Sequence, residues 1–311
     1  MMRKFTKDSL RGIKKSVQYK HTMQQIKQIK VGNLEFDCRV SGEEKNESVF
    51  FLHGFPETSF MWLKIMEKIS SLGFYCIAPD MRGYSKNACP KGVKNYTVEK
   101  LSEDILNIAE AINIDRFHLI AHDWGAGIGW NIVYNNPEKI ISWTALSIPH
   151  SRAFGKAIKM DKEQKKKSRY IGWFLVPIIP EIMLRKNNFE KFRKLWKHSS
   201  PEEVKNYLSV FGRKQSLTAA LNYYRANFGR GKTQPIGNVA TPTLFIWGKN
   251  DLAVGSKAAG YNHKYMKGDY TFLELNAGHW LIQTNYHEVE IAIVEHLSKC
   301  KTELKSRDNL A

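Results

Sequence analysis

The sequence predicts an α/β fold: a mostly parallel sheet flanked by helices, with a helical lid inserted into it. Two observations carry the prediction. From residue 48 onward, short and continuously apolar runs alternate with amphipathic helical patterns, as strands buried on both faces require. Between His150 and about Ile236 the alternation stops, and the chain reads as helix after helix before strands resume.

Taken in order, "QQIKQIKVGNLEFDCRVSG" (Gln24–Gly42) alternates around Val31-Gly32-Asn33, which predicts two antiparallel strands joined by a turn. Buried strands are expected at Ser48–Gly54, Gly73–Asp80, Arg116–Asp123 and Lys139–Ile148. Helices are expected between them, near Phe60–Leu72, Thr97–Ile112 and Gly125–Asn136. Beyond the lid come strands at Thr241–Gly248 and Tyr270–Gly278, then an amphipathic helix near Tyr286–Lys299. The chain thus divides into a basic N-terminal segment (1–26), a core in two parts (27–149 and 237–300), a lid (150–236) and a C-terminal tail (301–311). A lid inserted at that point covers the carboxyl edge of the sheet, where open α/β sheets bind ligands.

Composition narrows the function classes. The 311 residues, 42% hydrophobic, suffice for one large core plus a lid. The formal net charge of +18 is uneven: residues 1–30 hold nine Lys/Arg against one acid, and residues 151–236 hold twenty against six. No helix-turn-helix, zinc-finger or RNP signature accompanies the basic block, so it reads as a solvated face and no nucleic acid is expected. The most apolar run, "IGWFLVPIIPEIML", is too short to span a bilayer and carries Pro177, Pro180 and Glu181. The N-terminus lacks the apolar segment of a secretory signal. The four cysteines are far apart and two fall in predicted strands, which suggests free thiols and a cytoplasmic setting.

The chemistry centres on "LIAHDWGAGIGW" (Leu119–Trp130). Asp123 stands at a strand-to-helix turn with small residues, Ala121 and Gly125, two places away on either side. That is the geometry of a nucleophile elbow, although the usual centre is serine. A carboxylate with a pKa of about 4 is already ionised at neutral pH and attacks an electrophilic sp³ carbon without help from a base. The alternative is an aspartate that caps the following helix. Hydrolysis of the resulting ester needs a general base, and the chain supplies one. Asp251 in "FIWGKND" and His279 in "LNAGHW" each follow a predicted strand, in the order nucleophile, acid, histidine. His279 would activate water and Asp251 would orient its ring. In "FLHGFPE" (Phe51–Glu57) the turn aims the Phe55 amide at the elbow, where with the Trp124 amide it would form an oxyanion hole. The Phe55–Pro56 bond is a candidate cis bond, and His53, Gly54 and Pro56 brace the loop.

Together, "HGFPE" with Trp62, "DMRGYSKNACPKGVKNYT", "HDWGAGIGW", "WGKND" and "GHW" resemble an epoxide hydrolase of the α/β-hydrolase fold, over roughly residues 27–300. The resemblance implies two lid tyrosines as acids for the epoxide oxygen. "LNYYRANF" matches the family's L-N-W-Y-R stretch, which makes Tyr224 one acid and Tyr223 a packing aromatic of the pocket. "YIGWFLVP" matches Y-x-x-x-F and points to Tyr170 as the other. It also implies no cofactor and no metal. Phe55, Trp124, Trp280 and the apolar lid run suggest a hydrophobic epoxide, with water as co-substrate. The expected activity is conversion of an epoxide to a vicinal diol. The rivals are a haloalkane dehalogenase with the same nucleophile, for which Phe55 lacks a halide donor, and a non-catalytic binding protein. The sequence leaves monomer and homodimer equally open.

Overall fold

A computed structural model of the chain describes residues 25–228 and 235–308. The basic N-terminal segment up to residue 24 lies outside the described residues. Eight strands form one sheet: β1 (Gln25–Val31), β2 (Leu34–Ser41), β3 (Ser48–Leu52), β4 (Tyr75–Pro79), β5 (Phe117–His122), β6 (Ile140–Leu146), β7 (Thr243–Gly248) and β8 (Tyr270–Leu275). Their order is β1-β2-β4-β3-β5-β6-β7-β8. β1 pairs antiparallel with β2 and β2 with β4, while every other pair is parallel.

The sequence explains the layout. The β1–β2 hairpin turns at Gly32, whose φ of 56° suits glycine. β3, β4, β5 and β7 are buried at every residue, as parallel strands covered on both faces must be. Trp143 on β6 fills the space over Gly129 of the helix Trp124–Asn135, and Phe245 stacks on Phe272 between β7 and β8. The last helix, Tyr286–Asp308, runs on past Lys299 into the stretch expected to be a tail.

The helical cap sits between β6 and β7. It comprises Ser151–Met160, Lys162–Lys167, Arg169–Phe174, Ile179–Leu195, Pro201–Phe211 and Lys214–Asn227. The helix at Ile179–Leu195 is broken at Lys186–Phe189, where Asn187, Asn188 and Phe189 have positive φ. No helix among the described residues is long and apolar enough to cross a membrane.

The strand order places the site. The chain leaves β3 for β4 on one side and later enters β5 on the other. The loops beyond β3 and β5 therefore diverge and open a crevice at the carboxyl edge.

Candidate active site

Asp123 follows β5 directly and precedes the helix Trp124–Asn135. Its φ of 49° and ψ of −121° lie outside the usual regions for a residue with a Cβ. The carboxylate makes no capping bond to its own helix, which removes the reading of Asp123 as an N-cap. It is buried and turned to the crevice instead. Two glycines, Gly125 and Gly54, make this possible. A Cβ at Gly125 would overlap the Leu52 carbonyl, and one at Gly54 would overlap the Asp123 side chain.

Four loop ends meet at this carboxylate. The Phe55 amide donates to Asp123 Oδ1 at 2.8 Å, and the Phe55–Pro56 bond is cis. His279 Nε2 stands 3.4 Å from Oδ2. On the far side of the ring, His279 Nδ1 meets Asp251 at 2.9 and 3.1 Å. Asp251 itself is fixed by the amides of Ala253 and Val254, at 2.7 and 3.0 Å. Burial works against charge on all three groups, but their mutual attraction outweighs it. His279 is raised well above its ordinary 6.5 by Asp251 and Asp123. Both carboxylates are lowered, Asp123 with further help from His122 and the Phe55 amide, Asp251 from its two amides.

Tyr170 and Tyr224 come down from the cap beside Asp123, with ring centres 6.0 Å apart. Tyr224 also packs edge-on against Trp124, with ring centres 5.0 Å apart. Burial and the Asp123 charge push both phenols far above their usual range, with Tyr170 adding to the shift at Tyr224. Both therefore keep their protons as neutral donors.

The chain matches the family described as alpha/beta hydrolase fold over residues 47–286. It is 31% identical to human "Epoxide hydrolase 4" over 269 residues, 82% of this chain and 73% of that one. It is 27% identical to a Bacillus subtilis protein of the AB hydrolase superfamily, covering 86% of this chain and 96% of that one. The crystal structure of a Bacillus megaterium epoxide hydrolase with an inhibitor superposes with a TM-score of 0.79 at 27% identity, covering 88% of this chain and all of that one. The chain belongs to the epoxide hydrolases of the α/β-hydrolase fold.

This epoxide hydrolase family member has a cavity at its candidate nucleophile. It measures about 700 Å³ and runs from Asp123 past Trp124, Tyr170 and Tyr224. Three residues expected in the pocket do not line it. The Phe55 ring is enclosed edge-on by Phe174, Phe192, Phe211 and Tyr224. Tyr223 turns away, its hydroxyl donating to the Arg82 carbonyl at 2.8 Å. Trp280 packs edge-on against His279, behind the site. His53 is fully buried; its Nδ1–H donates to the Gly54 carbonyl and its Nε2 accepts from the Met81 amide. Burial lowers its pKa, which suits that neutral, bracing role.

Two buried residues escaped the sequence reading although both lie inside its motifs. His122 Nε2 donates to the His279 carbonyl at 2.9 Å, and its Nδ1 approaches Glu57 at 3.4 Å. Glu57 in turn accepts from Gln283 at 2.7 Å. This pair backs the candidate base. Nothing in the one-dimensional pattern distinguished it from ordinary motif neighbours.

Proposed function

We propose that the enzyme hydrolyses a hydrophobic epoxide to a vicinal diol in two covalent steps. Asp123 Oδ2 attacks an oxirane carbon, the C–O bond breaks, and its electron pair passes to oxygen, which takes a proton from Tyr170 or Tyr224. The product is an alkyl ester on Asp123. Water then attacks the ester carbonyl as His279 Nε2 accepts its proton. The tetrahedral oxyanion forms against the Phe55 and Trp124 amides and collapses; the departing alkoxide takes a proton from His279, which regains one from the new carboxyl group, leaving diol and free carboxylate. No cofactor takes part in either step.

The observation that carries this reading is the division of the Asp123 carboxylate. Oδ1 is engaged by the Phe55 amide, Oδ2 stands 3.4 Å from the imidazole, and Asp123 lines the same cavity as Tyr170 and Tyr224. The charges support the sequence of events too. Two carboxylates hold His279 protonated at rest. Esterification neutralises one of them, so the ring passes its proton back to the tyrosinate left by ring opening and is then free to act as the base. The dehalogenase alternative finds less support: the Phe55 side chain offers no donor for a halide, and two cap phenols share the cavity with Asp123. We also infer a cytoplasmic setting, supported by free thiols at Cys38, Cys76 and Cys89.

The His279→Gln variant separates the two steps. Incubated with an epoxide that the wild type turns over, it should gain the mass of one intact substrate, located on Asp123 by peptide mapping. Asp123→Asn should gain nothing. A haloalkane adduct would lack its halogen. No adduct in His279→Gln with any such epoxide refutes the covalent route.

A further inference from the structure

Four aliphatic side chains of the cap point into water within one short stretch. Val176, Ile178, Ile179 and Ile182 are 39%, 67%, 55% and 56% exposed. Elsewhere among the described residues, large exposed apolar side chains stand singly along the chain. None of the four lines the cavity, which takes only Tyr170 and Ile171 from residues 169–186. Apolar side chains clustered at a surface mark a contact with something outside the fold.

The backbone holds them outward. On the helix Arg169–Phe174, Ile171 and Phe174 are buried, so Arg169 and Trp173 fall on the opposite side. The Leu175 amide bonds to the Ile171 carbonyl and the Val176 amide to that of Trp173, which continues the turn and brings Val176 into line with them. On the helix Ile179–Leu195, Pro180 and Leu184 are buried, and Ile179 and Ile182 share the other face. Lys186 follows one turn later, at the break in that helix. Between the two helices the Ile179 amide donates to the Pro177 carbonyl at 2.8 Å, closing a γ-turn about Ile178 at φ 70° and ψ −49°. A β-branched residue rarely adopts that conformation, and here its side chain faces solvent and not the core.

Charge decides what this strip fits. Residues 169–197 hold seven Lys/Arg and two acids. Both acids are matched, Glu181 by Arg225 and Glu190 by Lys194. The Lys191 ammonium lies over the ring of the half-buried Trp173 at 5.1 Å. Exposed aliphatic tips, an indole at their base and flanking cations suit the boundary between water and anionic lipid. The aliphatic groups enter the acyl boundary, the indole sits at headgroup level, and long cationic side chains reach the phosphates. A second copy of this chain fits the strip less well, because a two-fold contact sets these cations against one another.

We propose that residues 176–182, flanked by Arg169, Lys186 and Lys191, dock the cap on the surface of an anionic phospholipid bilayer. The contact is peripheral and needs no spanning helix. It does not depend on the reaction assigned to Asp123.

The test is co-sedimentation of the full chain with vesicles of phosphatidylcholine, alone or with about 30% phosphatidylserine. The wild type should partition onto the mixed vesicles about tenfold or more above the neutral ones, and ~0.5 M NaCl should remove most of that difference by screening. The combined variant Ile178→Gly, Ile179→Ser, Ile182→Ser should weaken partitioning onto mixed vesicles about 100-fold, since three apolar insertions are lost. Ile178→Gly alone should weaken it several-fold, and glycine suits the positive φ there, so this variant keeps the test valid if the combined one unfolds. Vesicles with brominated acyl chains should quench tryptophan fluorescence in the wild type, and Trp173→Phe should remove most of that quenching. The basic segment at residues 1–24 offers a purely electrostatic route to anionic lipid. Binding of wild-type strength in both isoleucine variants therefore overturns docking through the cap. So does a wild type that binds neither kind of vesicle. A concentration-dependent dimer that the combined variant dissolves, with no vesicle binding, assigns the strip to a second copy and overturns the lipid contact.

Discussion

At the residue scale, Asp123 holds a backbone conformation that costs roughly 1–3 kcal/mol, and the surrounding loops over-determine it. The return on that strain is a carboxylate aimed out of the helix axis and into a cavity shared with two phenols. Those phenols stay protonated because burial and the nearby Asp123 charge disfavour their anions. Tyr170→Phe with Tyr224→Phe should therefore abolish diol formation almost completely, while each single variant retains part of it, since one donor still reaches the leaving oxygen. Removing one well-placed donor typically costs ~10²–10³ in rate, which sets the scale for the single variants. Diol formation at the wild-type rate in the double variant would remove both residues from the mechanism.

At the element scale, the elbow depends on two close approaches between the ends of β3 and β5. A Cβ at Gly54 overlaps the Asp123 side chain, so Gly54→Ala must displace either the carboxylate or the Phe55 amide bonded to it. We expect kcat to fall by about 10²-fold, the effect of a displacement near 1 Å, with ~1–3 kcal/mol of stability lost to overpacking. Gly260→Ala, where an added Cβ meets nothing within 4 Å, serves as control and should change neither. Equal activity in Gly54→Ala and the control would show that the approach of these loops does not matter to catalysis. The cap is held down by its own polar contacts: the Trp196 indole donates to the Pro56 carbonyl at 3.0 Å, and Gln164 bridges the Ala253 carbonyl and the Gly255 amide. These bonds tie the cap, at the end of the helix Ile179–Leu195 and within Lys162–Lys167, to the loops that carry the Phe55 amide and Asp251.

At the scale of the whole molecule, the buried charges couple folding to pH. Asp123 and Asp251 are lowered from 3.8, so their contribution is present above that value and lost as pH falls through the lower folded values. His279 is raised from 6.5, so its contribution is complete below 6.5 and lost as pH rises through the higher folded value. All three act together between about pH 4 and 6.5. The melting temperature of the wild type should therefore exceed that of His279→Gln by the largest margin in that window, by at least about 2 °C, and the margin should shrink toward alkaline pH. A margin constant from pH 4 to 10 would mean that the cluster is not charged as described.

The sequence alone determined what is local. The elbow at Asp123, the strand-end positions of Asp251 and His279, the β1–β2 hairpin and the helical cap all follow from apolar periodicity, small residues and turn chemistry within short windows. Tertiary structure decided what depends on distant partners. The order of β4, β3 and β5 is set by non-local pairing, and it opens the crevice that brings the Phe55 amide to Asp123. The Glu57–Gln283 contact joins opposite ends of the chain. Tyr223 and Tyr224 are adjacent in sequence, yet helical geometry points one at Arg82 and the other at the cavity.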